Sequence, residues 1–150
     1  VNSKLYHIKY PIIGTSEFIT IATTRPETML GDTAVAVNLR DKRYTKIVGL
    51  NVVLPLVGRK IKIITDEYAD PEQGTGAVKI TPAHDFNDYE VGIRNKLEIL
   101  NVFTEDGKIN NNAPDQYVGL DRFEARKKIL EDLSTKGFLV NGDGNGLEWF

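Results

Sequence analysis

Four side chains at the junction of a predicted strand and a predicted helix could together bind a small polar substrate. Lys79 and Thr81 lie two residues apart in the strand and therefore share a face. Asp85 and Asp88 lie three residues apart at the helix start, so they also share a face. One carboxylate could bind an ammonium group while the other groups bind a hydroxyl. The alternative is structural, because Asp85 as the N-cap and Asp88 in the first turn would both stabilise the helix.

A second polar segment begins where another predicted strand ends. It reads Thr-Thr-Arg-Pro-Glu-Thr from Thr23 to Thr28 and is followed by Gly31 and Asp32. Its hydroxyls and the Arg25 guanidinium could face the mouth of a cavity. The alternative is a hydrogen-bonded turn capped by Thr28, and residue types and spacing leave both interpretations open.

A third segment, Gly74-Thr75-Gly76, directly precedes the lysine strand. Glycines allow positive φ and a close approach of the backbone to a ligand. A phosphate-binding P-loop also needs a following helix and a Lys-Ser/Thr pair, which this segment lacks. A tight turn is therefore the simpler interpretation.

The composition excludes several kinds of catalyst. The chain has no cysteine and only two histidines, His7 and His84, which rules out a cysteine nucleophile and a metal site with several histidines. None of its three serines lies in a Gly-x-Ser-x-Gly motif, so water is the expected nucleophile of any hydrolysis. The pair His84-Asp85 is similar to the metal-binding pair of HD-type phosphohydrolases, but those enzymes need further histidines. We therefore predict no metal.

The charge and hydrophobicity of the chain describe an ordinary globular domain. With 150 residues, 41% of them hydrophobic and 27% charged, the chain is long enough for one domain with its own core. No apolar run approaches the roughly 18 residues of a membrane span. The net charge of −2 argues against binding duplex nucleic acid through phosphates alone, yet it leaves room for a pocket that takes one nucleotide end.

Short strands dominate the predicted architecture. The predicted strands are 5–10, 17–24, 33–38, 51–57, 60–65, 77–81 and 98–104, with a hairpin at Gly58-Arg59 and a turn at 105–107. Tyr6, Ile8 and Tyr10 alternate on one face of the first strand, and 33–38 is short and mostly apolar, as in a buried strand. Many strands without alternating helices predict a mostly β, α+β fold, a barrel-like domain with peripheral helices.

Two helices are predicted, at 85–96 and 121–136. The apolar face of the first helix would carry Phe86, Tyr89 and Ile93, and that of the second Phe123, Ile129, Leu130 and Leu133. Asp121 and Glu124 form a capping-box pattern, and Gly137 follows the second helix. A Gly/Asn-rich tail occupies 141–146. The start at Val1 instead of Met and the apolar ending at 147–150 lead us to expect a single domain, 1–150, excised from a longer chain.

The two polar segments carry a resemblance to a known family. Thr23–Asn38 resembles the threonine-rich segment of the editing (connective polypeptide) domain of valyl-tRNA synthetase, a class I aminoacyl-tRNA synthetase. Gly74–Glu90 resembles the second signature of that domain, and weaker similarity runs from about Tyr6 to Val140. Isoleucyl enzymes lack the arginine of the first segment. The stretch 101–110 looks more like the eukaryotic-type branch.

The resemblance implies a barrel-like domain inserted into the catalytic domain of a cytoplasmic valine–tRNA ligase. Such a domain hydrolyses threonine that has been wrongly esterified to tRNA(Val). An apolar synthetic pocket rejects threonine by only about a hundredfold, a magnitude established for this very enzyme class. The implied partners are the 3′ end of threonine-charged tRNA(Val) and the catalytic domain of the same chain. The resemblance implies no cofactor for this domain, since ATP serves the synthetic domain, and we expect the isolated domain to be monomeric and free of membranes.

The resemblance also assigns roles to individual residues. Asp88 would bind the α-ammonium of the substrate and is the implied catalytic residue. The pocket for the threonine side chain would be lined by Arg25, Lys79, Thr81 and Asp85, with Thr24 and Thr28 shaping it. As a surface residue at a helix start, Asp88 should tolerate Asp88→Ala at a cost of only about 1 kcal/mol.

One position departs from the family pattern. Gln73 stands where the family usually has an aromatic residue before Gly-Thr-Gly, so a stacking wall for the substrate is missing or supplied elsewhere. This departure keeps a second hypothesis open, a catalytically silent module that binds the tRNA 3′ end without hydrolysis.

Overall fold

The computed structural model of the chain describes residues 4–140, so the predicted tail at 141–146 and the apolar ending lie outside the described residues. The elements are β1 (Tyr6–Pro11), β2 (Phe18–Thr23), β3 (Ala34–Val37), β4 (Asn51–Val53), β5 (Lys60–Thr65), β6 (Val78–Ile80), α1 (Phe86–Asn95), α2 (Arg122–Thr135) and β7 (Leu139–Val140). Two 3-10 helices, Pro26–Gly31 and Asp115–Tyr117, complete the list. Within this part of the chain no helix has the length and apolarity needed to cross a bilayer.

The strands form one antiparallel sheet and one mixed sheet, with few helices around them. One sheet has the order β2-β1-β7 and the other β4-β5-β3-β6, in which β3 and β5 run parallel. The predicted hairpin is confirmed, since β4 pairs antiparallel with β5 and Val52 faces Ile61. The links between the sheets include an isolated bridge between Ile12 and Val52 and a hydrogen bond from Thr75 Oγ1 to the Thr20 carbonyl.

The main core lies between the two sheets. The predicted alternation in β1 is confirmed, because Tyr6, Ile8 and Tyr10 are all buried. All four residues of β3 are buried, as its apolar sequence predicts. The strand lies between β5 and β6, with Val35 and Val37 in the main core and its two alanines packed in a second cluster with Val91 of α1. A central strand covered on both faces needs apolar residues on both.

The predicted strand at 98–104 is wrong. Its residues make only an isolated bridge, Phe103 to Ile109, and the short strand β7 near the C-terminus was not predicted. Two amide hydrogens of the 98–104 segment are bonded to side chains instead of a neighbouring strand. Val102 N donates to His84 Nε2, and Phe103 N donates to Asn101 Oδ1. The predicted turn after it is confirmed, with Gly107 at φ 82° and a 2.7 Å bond from Thr104 N to the Lys108 carbonyl.

Helix α1 is where it was predicted, but it packs through a different face. Asp85 caps it by accepting a hydrogen bond from Asp88 N at 3.0 Å. The predicted apolar face, Phe86, Tyr89 and Ile93, is exposed, and Phe86 is 79% accessible. The helix packs instead through Val91 and Gly92, because a Cβ on Gly92 would lie only 2.9 Å from Pro82. This close approach packs the second half of α1 against Pro82, which follows β6.

Helix α2 begins with the predicted capping box, and Gly137 follows its end at φ 83°. Ile129 and Leu133 are buried as predicted, and Leu130 packs against the core. Phe123 is 68% accessible, so its placement in the buried face was wrong. It lies at the first turn, beside the Arg126 guanidinium, at the edge of the buried face.

Candidate active site

A polar cavity of about 300 Å³ opens between the end of β2, the first 3-10 helix and the start of α1. It brings together six of the predicted site residues, Thr24, Arg25, Thr28, Lys79, Asp85 and Asp88. Its other lining residues are Leu5, Ala22, Thr23, Tyr68 and Val78. The two polar segments, which are about 50 residues apart in the chain, therefore form one site.

The inner wall of the cavity is built around the Lys79 ammonium. Lys79 lies opposite Val35 in the β3–β6 ladder and on the same side of the sheet, which directs its side chain toward the first 3-10 helix. Its Nζ donates to Thr28 Oγ1 at 2.8 Å, to Asp32 Oδ1 at 2.9 Å and to Thr81 Oγ1 at 2.5 Å. Because an ammonium has three hydrogens, these bonds use its whole donor capacity. Lys79 therefore acts by holding its neighbours.

The carboxylate that balances Lys79 is Asp32, which is fully buried. It also accepts hydrogen bonds from the Thr81 hydroxyl at 2.7 Å and from the Tyr10 phenol at 2.6 Å. Burial raises the pKa of Asp32, while the Lys79 charge and these hydrogen bonds act in the opposite direction. Burial and the Asp32 charge raise the pKa of Tyr10, so its phenol remains a donor.

Thr28 presents a preorganised hydroxyl to the cavity. Its Oγ1 accepts from Lys79 and donates to the Arg25 carbonyl at 2.9 Å. The predicted hydrogen-bonded turn is thus present, without a side-chain cap at the start of the 3-10 helix, and Thr28 lines the cavity. A hydroxyl oxygen has two lone pairs, so one remains to accept a hydrogen bond from a ligand.

Asp88 is a buried carboxylate, only 6% accessible, on the cavity wall. Its Oδ2 accepts from Thr81 N at 2.9 Å. Burial raises the pKa of Asp88 to about 6, although the Thr81 amide and the Lys79 charge favour the ionised form. The prediction of a surface residue was therefore wrong, and Asp88→Ala would leave the buried Thr81 amide without its acceptor.

Arg25 and Asp85 form the outer rim of the cavity. The Arg25 guanidinium lies 4.0 Å from the second carboxylate oxygen of Asp85, and both side chains are partly exposed. The structural interpretation of Asp85 is correct, because it caps α1, but the residue also lines the cavity. The site thus has a negative inner carboxylate and a mixed, solvent-accessible rim.

Comparison with known proteins agrees with this geometry. The sequence profile of the family described as "Leucyl-tRNA synthetase, editing domain" matches residues 40–134, more than half of the chain. The chain belongs to this editing-domain family. The resemblance inferred from the two polar segments is confirmed.

Curated relatives of this editing domain are valine–tRNA ligases. The chain is 70% identical over 140 residues to the enzyme of Pelagibacter ubique, and 59% identical over 139 residues to that of Pseudothermotoga lettingae. These matches cover 93% of the chain but 16% of each relative, so the chain spans about one sixth of their length. Both organisms are bacteria, and the expectation of a eukaryotic-type branch is not borne out.

Solved structures support the fold. The chain superimposes with a TM-score of 0.71 and 22% identity on LeuRS in a ternary complex with tRNA and LeuAMS from Agrobacterium radiobacter K84, covering 92% of this chain and 19% of that one. It superimposes on the separate GlLeuRS-CP1 domain with a TM-score of 0.69 and 13% identity, covering 91% and 98% of the two chains. The described domain thus has the fold of a synthetase editing domain.

Two predicted site residues do not line the cavity. Thr81 lies behind Lys79, buried in its hydrogen-bond network. Gln73 is exposed in the turn before β6, where its backbone N–H donates to the Asp70 carbonyl at 3.0 Å. The tight-turn interpretation of Gly74-Thr75-Gly76 is confirmed: Gly76 has φ 83°, and a Cβ there would lie 2.5 Å from the Arg43 guanidinium.

His84 has a structural role beside the site. Its Nε2 accepts from Val102 N at 2.9 Å, and its ring meets Phe103 edge-on at 4.8 Å between centroids. Burial, followed by the nearby Arg25 and Lys79 charges, lowers the pKa of His84 to about 4, so the imidazole is neutral. Across residues 4–140 no three His, Cys, Asp or Glu side chains are grouped for a metal.

Sequence reasoning gave no site role to Asp32, Tyr10 or Tyr68, although it noted Asp32 after the second polar segment. Asp32 had a further signal, because an acid two residues before a wholly apolar strand is drawn into the interior and needs a partner. Tyr10 gave no separate signal, since it also fits the alternating core of β1. Tyr68 lies in a polar connection between strands, where nothing in the sequence marks a cavity wall.

Proposed function

We propose that this domain hydrolyses the ester that joins threonine to tRNA(Val), as the post-transfer editing domain of a valine–tRNA ligase. The observation that carries the proposal is the position of Asp88, a buried carboxylate on the wall of a cavity that also presents the Thr28 hydroxyl. The names of the curated relatives support valine as the amino acid of the parent enzyme.

Asp88 would bind the α-ammonium group of the aminoacyl ester. An ammonium group brings the positive charge that a buried carboxylate lacks, and it favours the ionised form of Asp88. The amide of Thr81 already holds Oδ2, so the carboxylate is oriented before the substrate arrives. A fixed carboxylate costs less conformational entropy on binding than a mobile one.

Threonine would be selected through its side-chain hydroxyl. Thr28 Oγ1 has a lone pair free for that hydroxyl, and the Arg25 and Asp85 rim offers a further donor and acceptor. Valine carries a methyl group in place of the hydroxyl and would leave the lone pair of the buried Thr28 hydroxyl without a partner. Unpaired buried polar groups disfavour binding by about 1–3 kcal/mol each.

Hydrolysis requires no covalent enzyme intermediate in this proposal. Water adds to the ester carbonyl carbon, the bond between that carbon and the ribose oxygen breaks, and the ribose oxygen leaves with a proton. The products are free threonine and uncharged tRNA(Val). Aminoacyl esters are reactive, so orienting the carbonyl and a water molecule supplies much of the rate increase.

The wider setting follows from the same proposal. We infer that 1–150 is one domain, inserted in a cytoplasmic synthetase whose catalytic domain uses ATP and positions the tRNA. Contacts of β2 with β6 and of Ile12 with Val52 support a barrel-like closure of the two sheets. The domain itself would need no metal or cofactor, would be monomeric in isolation, and would receive only the charged 3′ end.

The test is deacylation of threonyl-tRNA(Val) and valyl-tRNA(Val) by the domain at high concentration, with EDTA present. The matched variant is Asp88→Asn, which keeps a side-chain oxygen for the Thr81 amide and removes the charge. Hydrolysis of the threonyl ester alone, lost in Asp88→Asn, is the expected result. Full activity in Asp88→Asn would remove Asp88 from the mechanism.

The competing hypothesis, a silent module that binds the tRNA end, is separated by the same assay. The assay is repeated with the full-length synthetase chain, where the tRNA body is held by the rest of the enzyme. Hydrolysis restored there supports editing by a domain that depends on its neighbours. Binding of a threonyl-adenosine analogue without hydrolysis in either form would favour the silent module.

A further inference from the structure

Tyr68 lies on a segment that is tied to helix α1. The segment follows β5, and Asp66 within it binds Arg94 at 2.8 Å and Asn95 at 2.9 Å, both near the end of α1. Ala69, the residue after Tyr68, is fully buried, and its carbonyl accepts a hydrogen bond from Asn38 Nδ2 at 3.0 Å. The backbone on both sides of Tyr68 is therefore anchored, which fixes the position of its side chain.

The Tyr68 side chain reaches the first turn of the same helix. It lines the cavity together with Asp88 and is 38% accessible. A phenol beside an ionised carboxylate can only donate to it, since the carboxylate has no hydrogen to give. Burial, then the negative charges of Asp88 and Asp85, raise the pKa of Tyr68 to about 12, so the phenol keeps its hydrogen throughout the neutral range.

We propose that Tyr68 and Asp88 together form the α-ammonium site, with the phenol oxygen accepting a second N–H of the substrate. The proposal rests on the proposed function, because it names a further residue of the same site. An ammonium has three hydrogens, and one carboxylate oxygen satisfies only one of them well. With its hydrogen directed to Asp88, the phenol would keep its lone pairs for the substrate. Its ring also supplies an aromatic wall, which Gln73 at its exposed position does not.

A second tyrosine–aspartate pair in the domain provides a matched control. The Tyr117 phenol donates to Asp132 Oδ2 at 2.6 Å. Tyr117 is fully buried in the main core and is not part of the cavity lining. Tyr117→Phe therefore removes the same kind of hydrogen bond without touching the site.

The experiment measures binding of two non-hydrolysable compounds to the full-length synthetase chain. One is the threonyl amide of 3′-amino-3′-deoxyadenosine, and the other is its 3-hydroxybutanoyl counterpart, which has the same side-chain hydroxyl and no ammonium. We expect Tyr68→Phe to weaken binding of the first compound about tenfold, the size of a lost hydrogen bond to a charged group, and to leave the second within twofold. Tyr117→Phe should change neither.

Two outcomes would overturn the inference: equal losses for both compounds in Tyr68→Phe, or no loss for either. Tyr68→Ala, which removes the ring as well, should weaken both compounds, and an unchanged affinity would remove the aromatic wall. Hydrolysis assays separate this inference from the proposed function. A chain that shows the expected Tyr68 dependence but never hydrolyses threonyl-tRNA(Val) would refute editing and support the ammonium site. If the chain hydrolyses the ester while Tyr68→Phe binds both compounds normally, editing is supported and the role of Tyr68 in the ammonium site is refuted.

Discussion

Lys79 and Asp32 form a buried ion pair, with Nζ 2.9 Å from Oδ1, and both side chains are almost completely inaccessible. The pair links β6 to the end of the first 3-10 helix, 47 residues apart in the chain. Through the same ammonium it fixes the hydroxyl of Thr28 in the cavity. The charge pair thus positions the residues of the site. Neither partner is free to bind substrate strongly, because both already bond to neighbouring side chains.

Removing one partner of this pair should destabilise the domain severely. Lys79→Met leaves the Asp32 carboxylate in the core without a counter-charge. Asp32→Asn likewise leaves the Lys79 ammonium buried without a negative partner. Loss of one member of a buried pair typically costs about 3–5 kcal/mol of unfolding free energy. Urea unfolding followed by circular dichroism measures it.

The double variant is the informative control for this pair. Lys79→Met with Asp32→Asn removes both charges, so we expect it to be more stable than either single variant, with a coupling energy of about 2 kcal/mol or more. Additive losses would show that the two side chains contribute independently. Because Thr28 loses its donor in the double variant, deacylation should fall even where the fold is retained.

The fall of the editing rate at low pH should report the protonation of the Asp88 carboxylate. The pKa of this carboxyl is raised to about 6 by burial, and only the ionised form attracts the substrate ammonium. We expect kcat/KM for threonyl-tRNA(Val) to fall about tenfold per pH unit below about 6 and to level off above it. Each rate is corrected for the uncatalysed hydrolysis of the ester, measured without protein at the same pH, since hydroxide hydrolyses the ester faster as the pH rises. A profile that is flat from pH 5 to 7 would contradict the assignment.

His84 should make the domain less stable in mild acid. Folding lowers the pKa of His84 from its ordinary 6.5 to about 4, because burial and then the positive charges of Arg25 and Lys79 disfavour the imidazolium form. For a lowered pKa, the stabilising contribution is complete above about 6.5 and is lost as the pH falls through about 4. His84→Gln, which keeps an acceptor, should remove this part of the pH dependence in urea unfolding curves recorded between pH 7 and 4.

The titration of His84 can also be followed directly. The chain has two histidines, so the proton spectrum of His84→Gln assigns the remaining imidazole to His7 and, by difference, the other to His84. A His84 resonance that titrates near 6.5 would show that the ring is not held as a neutral acceptor.

Local patterns predicted those parts of the fold that depend on local interactions. The cap at Asp85, the capping box of α2 and the alternation of β1 follow from neighbouring residues, and all three are present. The grouping of the two polar segments needed more than spacing. It depends on antiparallel pairing of β3 with β6, which places Lys79 opposite Val35 and beside the first 3-10 helix.

The failures have identifiable physical causes. Phe86 was placed on a buried face because apolar residues usually are, yet α1 approaches Pro82 through Gly92, and only the small residue permits that contact. The predicted strand at 98–104 has suitable residues but no partner strand, and His84 and Asn101 accept the amide hydrogens of Val102 and Phe103 instead. Such choices depend on which surfaces meet in three dimensions.

A last prediction concerns the ion pair that braces the threonine-rich segment from outside. Arg126 of α2 binds the carboxylate of Glu27 through two parallel bonds, Nε to Oε1 at 2.8 Å and the second guanidinium nitrogen to Oε2 at 2.9 Å. Glu27 is almost wholly buried and is adjacent to Thr28 in sequence. Arg126→Met should therefore cost about 3–5 kcal/mol of unfolding free energy, because it leaves a buried charge without its partner.

The exposed pair of Arg40 with Glu67 offers the matched control, since both side chains are more than 70% accessible. Arg40→Met should cost less than about 1 kcal/mol. Where Arg126→Met remains folded at low temperature, deacylation should fall as well, since the segment that carries Thr28 and Arg25 has lost its brace, whereas Arg40→Met should edit normally. Equal effects of the two variants on stability and editing would show that the Glu27 contact positions nothing in the site.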